Sequence, residues 1–215
     1  MLNCSIRQVQ NIARILDRFP AATNIGGNCF YLCRILTSIC IVMNCMLSTA
    51  QVDTMILRWD GNVLQFDDFK GIADSEDQIN DANSSVGISL EYENRKGHLS
   101  VRVHAEFWKE ESWMTRQDSN LLRHEQLHFD IAELFARRLR KVFSEKVYDT
   151  REEAIEFIET NFKRIIEEEN MYHELYDIET RHGLDIGRQS QWNMRVHKEL
   201  VNLVIYKDVY YLVQE

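Results

Sequence analysis

Two runs of alternating apolar and polar residues predict an antiparallel β-hairpin. Apolar side chains occupy every second position over residues 88–92, and the alternation resumes over residues 99–107 after a glycine-containing turn at 94–97. A period of two places the apolar side chains on one face of each strand, and a short turn joins strands that pair antiparallel. We therefore expect a hairpin with one buried face.

Shorter β-prone runs precede this hairpin. Residues 54–59 and 63–66 flank the turn sequence Asp60-Gly61-Asn62, which predicts two short strands joined by a tight connection. From residue 67 to residue 85 the chain is polar and acidic, and we expect it to form a loop.

Apolar residues recur at helical spacing in the second half of the chain. A first helix is predicted from the capping residues Asp118 or Ser119 to about Ser144. Two more are predicted over residues 150–183 and about 189–203, the former with acidic residues in its first turn. Strands followed by helices are typical of the α+β class, so we expect an α+β fold.

The first fifty residues have the pattern of a targeting segment. Arg34 precedes an apolar run over residues 35–47, and small residues follow up to Ala50. A basic residue, a short apolar run and a small-residue end are typical of a secretory signal, and the run is shorter than the ~20 residues of a membrane-spanning helix. We expect cleavage after Ala50, which leaves a domain over residues 51–215 that is exported to the periplasm or the extracellular space. The alternatives are an uncleaved tether and an apolar helix packed on the domain.

Composition and charge exclude several classes of function. Hydrophobic residues make up 45% and charged residues 27% of the chain, as in ordinary globular proteins. The formal net charge of −9 argues against nucleic acid as a partner, because phosphate binding needs a basic surface. All five cysteines lie within the first fifty residues, so the body has neither a disulfide scaffold nor a cysteine nucleophile.

One sequence motif in the first predicted helix indicates metal chemistry. Residues 124–128 read H-E-Q-L-H, and positions four apart on a helix differ by only about 40° in direction. The rings of His124 and His128 can therefore hold one zinc ion together. Glu125 lies beside them, where it can accept a proton from a water molecule that the zinc activates. This arrangement is typical of hydrolysis without a covalent intermediate.

A catalytic zinc usually has three protein ligands, so a third must be found. Glu133 is directed about 180° away from His124 on the helix, and Asp130 about 240°, so neither can be the third ligand. The second predicted helix carries His173 and Asp177 on its inward face, together with Phe162, Ile166 and Thr180. Two further histidines lie at the helix end and in the hairpin, His182 and His104. Helical phase favours His173 or Asp177.

The sequence also resembles a known family. The stretch from Leu121 to Leu134, which contains the string H-E-Q-L-H-F-D-I, resembles a bacterial family of unknown function whose members are described as secreted zinc-dependent proteases. The likeness covers most of residues 54–203 and includes further positions: Asp68-Phe69-Lys70-Gly71, Phe107, Ser112-Trp113, Tyr176-Asp177, Thr180, His182-Gly183, Gln189 and Trp192.

The resemblance changes the expected roles of several residues. It implies that His182 is the third zinc ligand, with Asp177 as the alternative and His173 less favoured. Asp130 would then orient a ligand imidazole from outside the metal shell. Tyr176 would donate a hydrogen bond to the oxyanion that develops on the substrate.

Three further expectations concern other parts of the chain, and the first of them follows from a zincin-like architecture. The strand over residues 99–107 would lie above the metal as a sheet edge, to which an extended peptide adds by backbone pairing. Ser112 and Trp113 are interpreted as core packing. The acidic run Glu167-Glu168-Glu169 is interpreted as a solvated helix face.

The sequence thus predicts an exported zinc-dependent metallopeptidase that hydrolyses peptide bonds in a peptide or protein substrate, with Glu125 as general base. Membrane contact is expected only through an uncleaved N-terminal segment. Two alternatives remain open. One is a non-catalytic metal-binding or interaction module on a zincin-like scaffold, and the other is a metal-dependent hydrolase of a non-peptide amide such as a cell-wall link.

Overall fold

The computed structural model describes residues 55–73, 81–95, 98–208 and 210–213. The leader predicted for residues 1–50 lies outside the described residues. The elements, in chain order, are β1 (Ile56–Arg58), a 3₁₀ turn (Phe66–Asp68), β2 (Ala82–Asn83), β3 (Val86–Arg95), β4 (His98–Trp108), β5 (Trp113–Met114), α1 (Ser119–Ser144), α2 (Arg151–Thr180), α3 (Ile186–Asn202), a second 3₁₀ turn (Val204–Tyr206) and β6 (Tyr210–Val213). Strands precede three helices, which confirms the α+β prediction.

The predicted hairpin is the centre of the main sheet. β3 and β4 pair antiparallel from Val86 opposite Phe107 to Arg95 opposite His98. The sheet order is β1-β4-β3, and β6 also pairs with β4. β4 is therefore an interior strand, and the expectation that residues 99–107 form a free edge above the metal is wrong. Within the described sheet, β1, β3 and β6 are edge strands, each paired with β4 alone.

The short strand predicted over residues 63–66 does not form. The backbone N–H of Leu64 donates instead to the side-chain Oε1 of Gln126 on α1, at 2.7 Å, and a 3₁₀ turn follows at Phe66–Asp68. A donor that is satisfied by a helix side chain is not available to a sheet ladder. The segment is thereby attached to the helix that carries the H-E-x-x-H motif.

The three helices begin at polar capping residues. The Asp118 carboxylate accepts hydrogen bonds from two backbone N–H groups at the start of α1, and the Thr150 hydroxyl accepts one at the start of α2. α3 begins three residues earlier than predicted because Asp185 caps it. α2 ends at Thr180, before the predicted Gly183, because Arg181 adopts a left-handed backbone conformation there.

α1 is the central element of the core. It packs against β3 and β4 on one side and against α2 and α3 on the other. The inward residues of the hairpin are buried beneath it, among them Ile88, Val103 and Phe107, and Trp113 is buried as predicted. Of the helices in the described ranges, none combines the length and the apolar character that a membrane crossing requires.

A buried ionic network fixes α1 to its surroundings. Glu133 is only 2% exposed and accepts hydrogen bonds from Arg137 at 2.8 Å and from Arg140 at 2.9 Å and 3.1 Å. Arg140 also donates to the Val103 carbonyl in β4, and Arg137 donates to the Leu200 carbonyl in α3. Glu133 therefore lies on the face of α1 opposite the motif, as its helical phase predicts, and it neutralises two guanidinium groups that would otherwise be buried without a counter-charge.

Replacing Glu133 by leucine should destabilise the fold strongly. The substitution preserves most of the volume but leaves two buried arginines without a carboxylate, which typically costs about 3–5 kcal/mol. Urea unfolding monitored by circular dichroism measures the loss. Glu167→Leu, at an exposed position of α2, is the matched control and should change the free energy of unfolding by less than about 1 kcal/mol. A loss below about 1 kcal/mol for Glu133→Leu would show that the carbonyl groups alone stabilise the arginines.

The stability should also depend on the titration of His104. Burial, followed by the positive charge of Arg58, lowers the pKa of His104 from 6.5 to about 4, with smaller contributions from Arg140 and Arg102 and an opposing one from Glu91. Between pH 6.5 and pH 4 the unfolded chain therefore binds more protons at this residue than the folded chain does. Its contribution to stability is complete above pH 6.5 and is lost as the pH falls towards 4.

Urea unfolding at pH 7 and at pH 4.5, with EDTA present, checks this prediction. The wild type should lose about 2 kcal/mol more than His104→Gln over this interval, since glutamine does not titrate. Equal losses in the two proteins would contradict the account.

Candidate metal centre

The motif histidines lie on the face of α1 that is turned towards α2. Their ring centroids are 4.9 Å apart and the ring planes are nearly perpendicular. The side chain of His124 is 3% exposed and that of His128 is 12% exposed. The helical spacing thus brings the two imidazoles together, as the sequence predicts.

Asp177 of α2 completes a group of three ligand atoms. Its Oδ1 atom lies 3.1 Å from Nε2 of His124 and 3.0 Å from Nε2 of His128. Three such atoms within 4.8 Å of one another could hold a metal ion, and these residues form the only such group of three or more among the described residues. The third member of this candidate group is therefore Asp177, the alternative to His182 in the sequence prediction.

The unsatisfied state of Asp177 shows that the group fits a metal ion. Its Oδ1 atom is buried and has no hydrogen-bond partner in the described part of the chain, despite the short distances to both rings. Buried polar atoms are normally paired, and each unpaired one needs an explanation. Two imidazoles and one carboxylate are a donor set of the kind that catalytic zinc uses.

The three groups shift one another's pKa values. Burial would raise the pKa of the Asp177 carboxyl, but the two imidazoles outweigh it and hold that pKa well below its ordinary value. Burial lowers the pKa of His128, against the opposing effect of Asp177. Burial also acts to lower the pKa of His124, but the carboxylates of Asp177 and Glu125 outweigh it and raise that pKa. An ionised carboxylate and a neutral imidazole are the forms that bind a metal, so the lowered pKa values of Asp177 and His128 favour binding, whereas at His124 a metal ion would have to displace a proton.

Glu125 is held beside the group by a residue that the sequence did not indicate. The Ser84 hydroxyl, directly after β2, donates a hydrogen bond of 2.6 Å to Glu125 Oε2. Glu125 is 3% exposed, so this contact fixes the direction of a buried carboxylate. Ser84 lies in a segment that sequence analysis interpreted as loop, and no spacing rule connects it to the motif.

The hydroxyl of Tyr176 lies within hydrogen-bond distance of His124 and Gln189. Tyr176 is fully buried and its ring stacks on that of His124 at 4.7 Å. Its hydroxyl oxygen is 3.2 Å from the His124 carbonyl oxygen and 2.8 Å from Gln189 Oε1, and its one proton can be donated to either acceptor. Gln189 Oε1 in turn lies 3.1 Å from Nδ1 of His124. In this structure Tyr176 and Gln189 position His124, and the oxyanion contact of Tyr176 stays a prediction.

Asp130 does not contact a ligand imidazole. Its Oδ1 atom accepts hydrogen bonds from Trp59 Nε1 at 2.8 Å and from Gln126 Nε2 at 3.0 Å. Gln126 also accepts the backbone N–H of Leu64. Asp130 therefore connects the segment that contains Trp59 and Leu64 to α1. The prediction that Asp130 orients a ligand is wrong for this structure.

Residues of α2 also contact the Nδ1 side of the His128 ring, opposite the side that faces Asp177. His128 Nδ1 lies 2.9 Å from Nδ1 of His173, and His173 Nε2 lies 3.6 Å from Oε1 of Glu169. Glu169 is 2% exposed, so the acidic run over residues 167–169 is not solvated throughout. His173 shares the inward face with Asp177, as predicted, but lies behind His128.

His182 lies at the rim, outside the group of three. It is 58% exposed, and its Nδ1 atom is 4.0 Å from Asp177 Oδ1. Arg181 and His182 have φ angles of 52° and 54°, and Gly183 follows with 80°. A Cβ atom on Gly183 would lie 3.0 Å from the Cβ and Cγ atoms of His124, so the turn packs closely against the ligand ring.

Removing the third ligand should remove the metal. Asp177→Ala should reduce bound zinc from about one equivalent to below about a tenth, because two imidazoles alone bind zinc weakly. His182→Ala is the matched control at the same helix end and should retain about one equivalent. Inductively coupled plasma mass spectrometry after dialysis checks both variants. Zinc loss in His182→Ala with full retention in Asp177→Ala would reverse the assignment.

Comparison with known proteins relates the chain to a family whose activity is not established. Residues 74–183, slightly more than half of the chain, match a family described as bacterial protein of unknown function, DUF922. The matched range contains both motif histidines, Asp177 and His182. The chain matches none of the curated proteins and none of the solved structures with which it was compared. On the extent of the family match, the chain belongs to the DUF922 family of bacterial proteins of unknown function.

Proposed function

We propose that the protein is a zinc-dependent hydrolase of zincin-like type that cleaves peptide bonds in peptide or protein substrates. The observation that carries this proposal is the convergence of two imidazoles and one carboxylate, with the buried carboxylate of Glu125 next to them. A zinc ion bound there would lower the pKa of a water molecule and polarise a substrate carbonyl group. The donors present are those that this chemistry requires.

The proposed roles of the protein groups follow from their positions. His124, His128 and Asp177 would hold the ion as its three protein ligands. Glu125 accepts the proton of the attacking water molecule and then transfers it to the leaving amine. The water oxygen forms the new bond to the carbonyl carbon, and the bond from that carbon to nitrogen breaks. Ser84 holds one oxygen of Glu125, which leaves Oε1 free for the proton transfer.

The position of Glu125 favours a hydrolase over a non-catalytic metal module. A structural zinc site is normally closed by four ligands and has no need of a base. Here three ligand atoms converge and a carboxylate from the same helical turn is held beside them by a hydrogen bond. Burial of this carboxylate without a metal-linked role would cost stability without any compensating function.

We also propose that the domain over residues 51–215 functions after export. The support is the sequence of the leader: Arg34, the apolar run over residues 35–47 and the small residues that end at Ala50. The absence of cysteine from the rest of the chain is compatible with an oxidising compartment.

Replacing Glu125 by glutamine should abolish hydrolysis and leave zinc binding intact. Glutamine keeps the size of the side chain but cannot accept the proton, and loss of a general base costs at least about 10²–10⁴-fold in kcat/KM. Cleavage of casein and of a mixed peptide library, with zinc content measured in parallel, tests this. Glu167→Gln, at an exposed position, is the control and should keep full activity.

The same assay separates the alternatives. Zinc bound at one equivalent without any Glu125-dependent cleavage of peptides or cell-wall fragments would favour a binding module. Glu125-dependent cleavage of cell-wall fragments but not of peptides would identify a non-peptide amide as the substrate.

A further inference from the structure

The strongest unexplained feature lies behind His128. Among the described residues, six buried side-chain polar atoms have no hydrogen-bond partner, and three of them belong to one face of α2: Glu169 Oε1, His173 Nε2 and Asp177 Oδ1. These residues are spaced by four, so each is offset by only about 40° from the next. One helix therefore presents a metal-ligand candidate and two further polar groups in a row along α1.

The distances order these groups around His128. Nε2 of His128 faces Asp177 Oδ1 at 3.0 Å, whereas its Nδ1 atom faces His173 Nδ1 at 2.9 Å. On the far side of the His173 ring, Nε2 lies 3.6 Å from Glu169 Oε1. The order of the groups is therefore the buried carboxylate of Glu169, the imidazole of His173, the imidazole of His128 and then the candidate metal ligand Asp177.

The proton positions along this row are restricted. An imidazole that binds a metal through Nε2 carries its proton on Nδ1, so Nδ1 of His128 must donate. At 2.9 Å from it, Nδ1 of His173 must then be unprotonated, because two N–H groups cannot face each other at this distance. The proton of His173 is consequently on Nε2, the atom that faces Glu169.

We propose that His173 and Glu169 are positioning residues that hold His128 in the Nδ1–H tautomer and in the ring orientation that aims Nε2 at the metal. Hydrogen bonds from ligand histidines to outer groups fix the ring and raise its basicity. The inference rests on the proposed metal site but does not depend on whether the site hydrolyses anything. It differs from the sequence hypothesis, in which His173 was itself a candidate ligand.

The two ligand histidines are supported differently, which permits a selective test. Nδ1 of His124 faces the side-chain amide oxygen of Gln189, whereas Nδ1 of His128 faces Nδ1 of His173. An asparagine at position 173 places its Oδ1 atom near the site of Nδ1 and can accept the same hydrogen bond. A leucine fills similar space and cannot accept it. The pair of variants therefore separates the hydrogen bond from the packing.

Zinc affinity of the full chain is the measurement, with zinc alone as the probe and a fluorescent chelator as competitor. His173→Leu should weaken zinc binding about 10–100-fold, the usual effect of losing such an outer partner. His173→Asn should remain within about threefold of the wild type. Glu169→Leu should weaken binding, and Glu169→Gln, which keeps an oxygen acceptor for His173 Nε2–H, should restore most of the affinity. His197→Leu, at an exposed position of α3, is the control and should have no effect.

Thermal unfolding of the metal-free proteins distinguishes a loss of support from a loss of folding. A change in zinc affinity counts only where the apo protein unfolds cooperatively near the wild-type temperature. Should His173→Leu fail to fold, nitrogen-15 NMR of the zinc-loaded wild type gives the answer, with His128 expected to be protonated at Nδ1 and His173 at Nε2. The inference is overturned by unchanged affinity in a folded His173→Leu, by equal losses in His173→Leu and His173→Asn, or by the opposite tautomers.

These outcomes are separate from those of the function proposal. A protein that loses affinity on His173→Leu but cleaves no substrate would retain the inference and reject the hydrolase. A protein with Glu125-dependent cleavage and unchanged zinc affinity in His173→Leu would do the reverse.

Discussion

The structure depends on one electrostatic arrangement, in which the buried Oδ1 atom of a half-buried carboxylate faces two imidazole nitrogens at about 3 Å. Asp177 comes from α2, and His124 and His128 come from α1, so the arrangement exists only while the two helices keep their packing. Burial of an ionised carboxylate is costly unless opposite charge or a metal ion compensates it. The packing brings this atom between two imidazoles, and a divalent cation is a compensation that the donor atoms could bind.

Contacts elsewhere in the fold hold α1 in place without using the face that carries His124 and His128. On the opposite side of the helix, Glu133 joins two arginines that bind carbonyl groups of the sheet and of α3. Closer to the motif, Asp130 and Gln126 bind Trp59 and Leu64 and so attach the segment before the 3₁₀ turn to α1. One helix thus carries two candidate metal ligands on one face and structural anchors on the other. Catalytic groups need such rigid support, because displacements of about 1 Å can cost much of the activity.

Local sequence was sufficient for the features that depend on local physics. The capped helices, the hairpin and the pairing of His124 with His128 follow from periodicity, and the inward face of α2 follows from its helical phase.

The features that local sequence did not predict depend on distances between secondary-structure elements. The choice between Asp177 and His182 depends on where α2 ends and how its last turn packs. The burial of Glu169 inside an acidic run, like the hydrogen bond from Ser84, depends on tertiary contacts that no spacing in the sequence encodes. The strand predicted over residues 63–66 was lost to a side-chain acceptor on α1, and β6, which pairs with β4, was not predicted.

The most direct test of the central claim is the zinc K-edge X-ray absorption spectrum of the zinc-loaded full chain. The account predicts a four-coordinate ion with two imidazole nitrogens at about 2.0–2.1 Å and oxygen ligands at about 2.0–2.2 Å from a carboxylate and a water molecule. A spectrum that requires three imidazoles would contradict the assignment of Asp177 as the third ligand. A protein that takes up no zinc at all would contradict the metal centre itself.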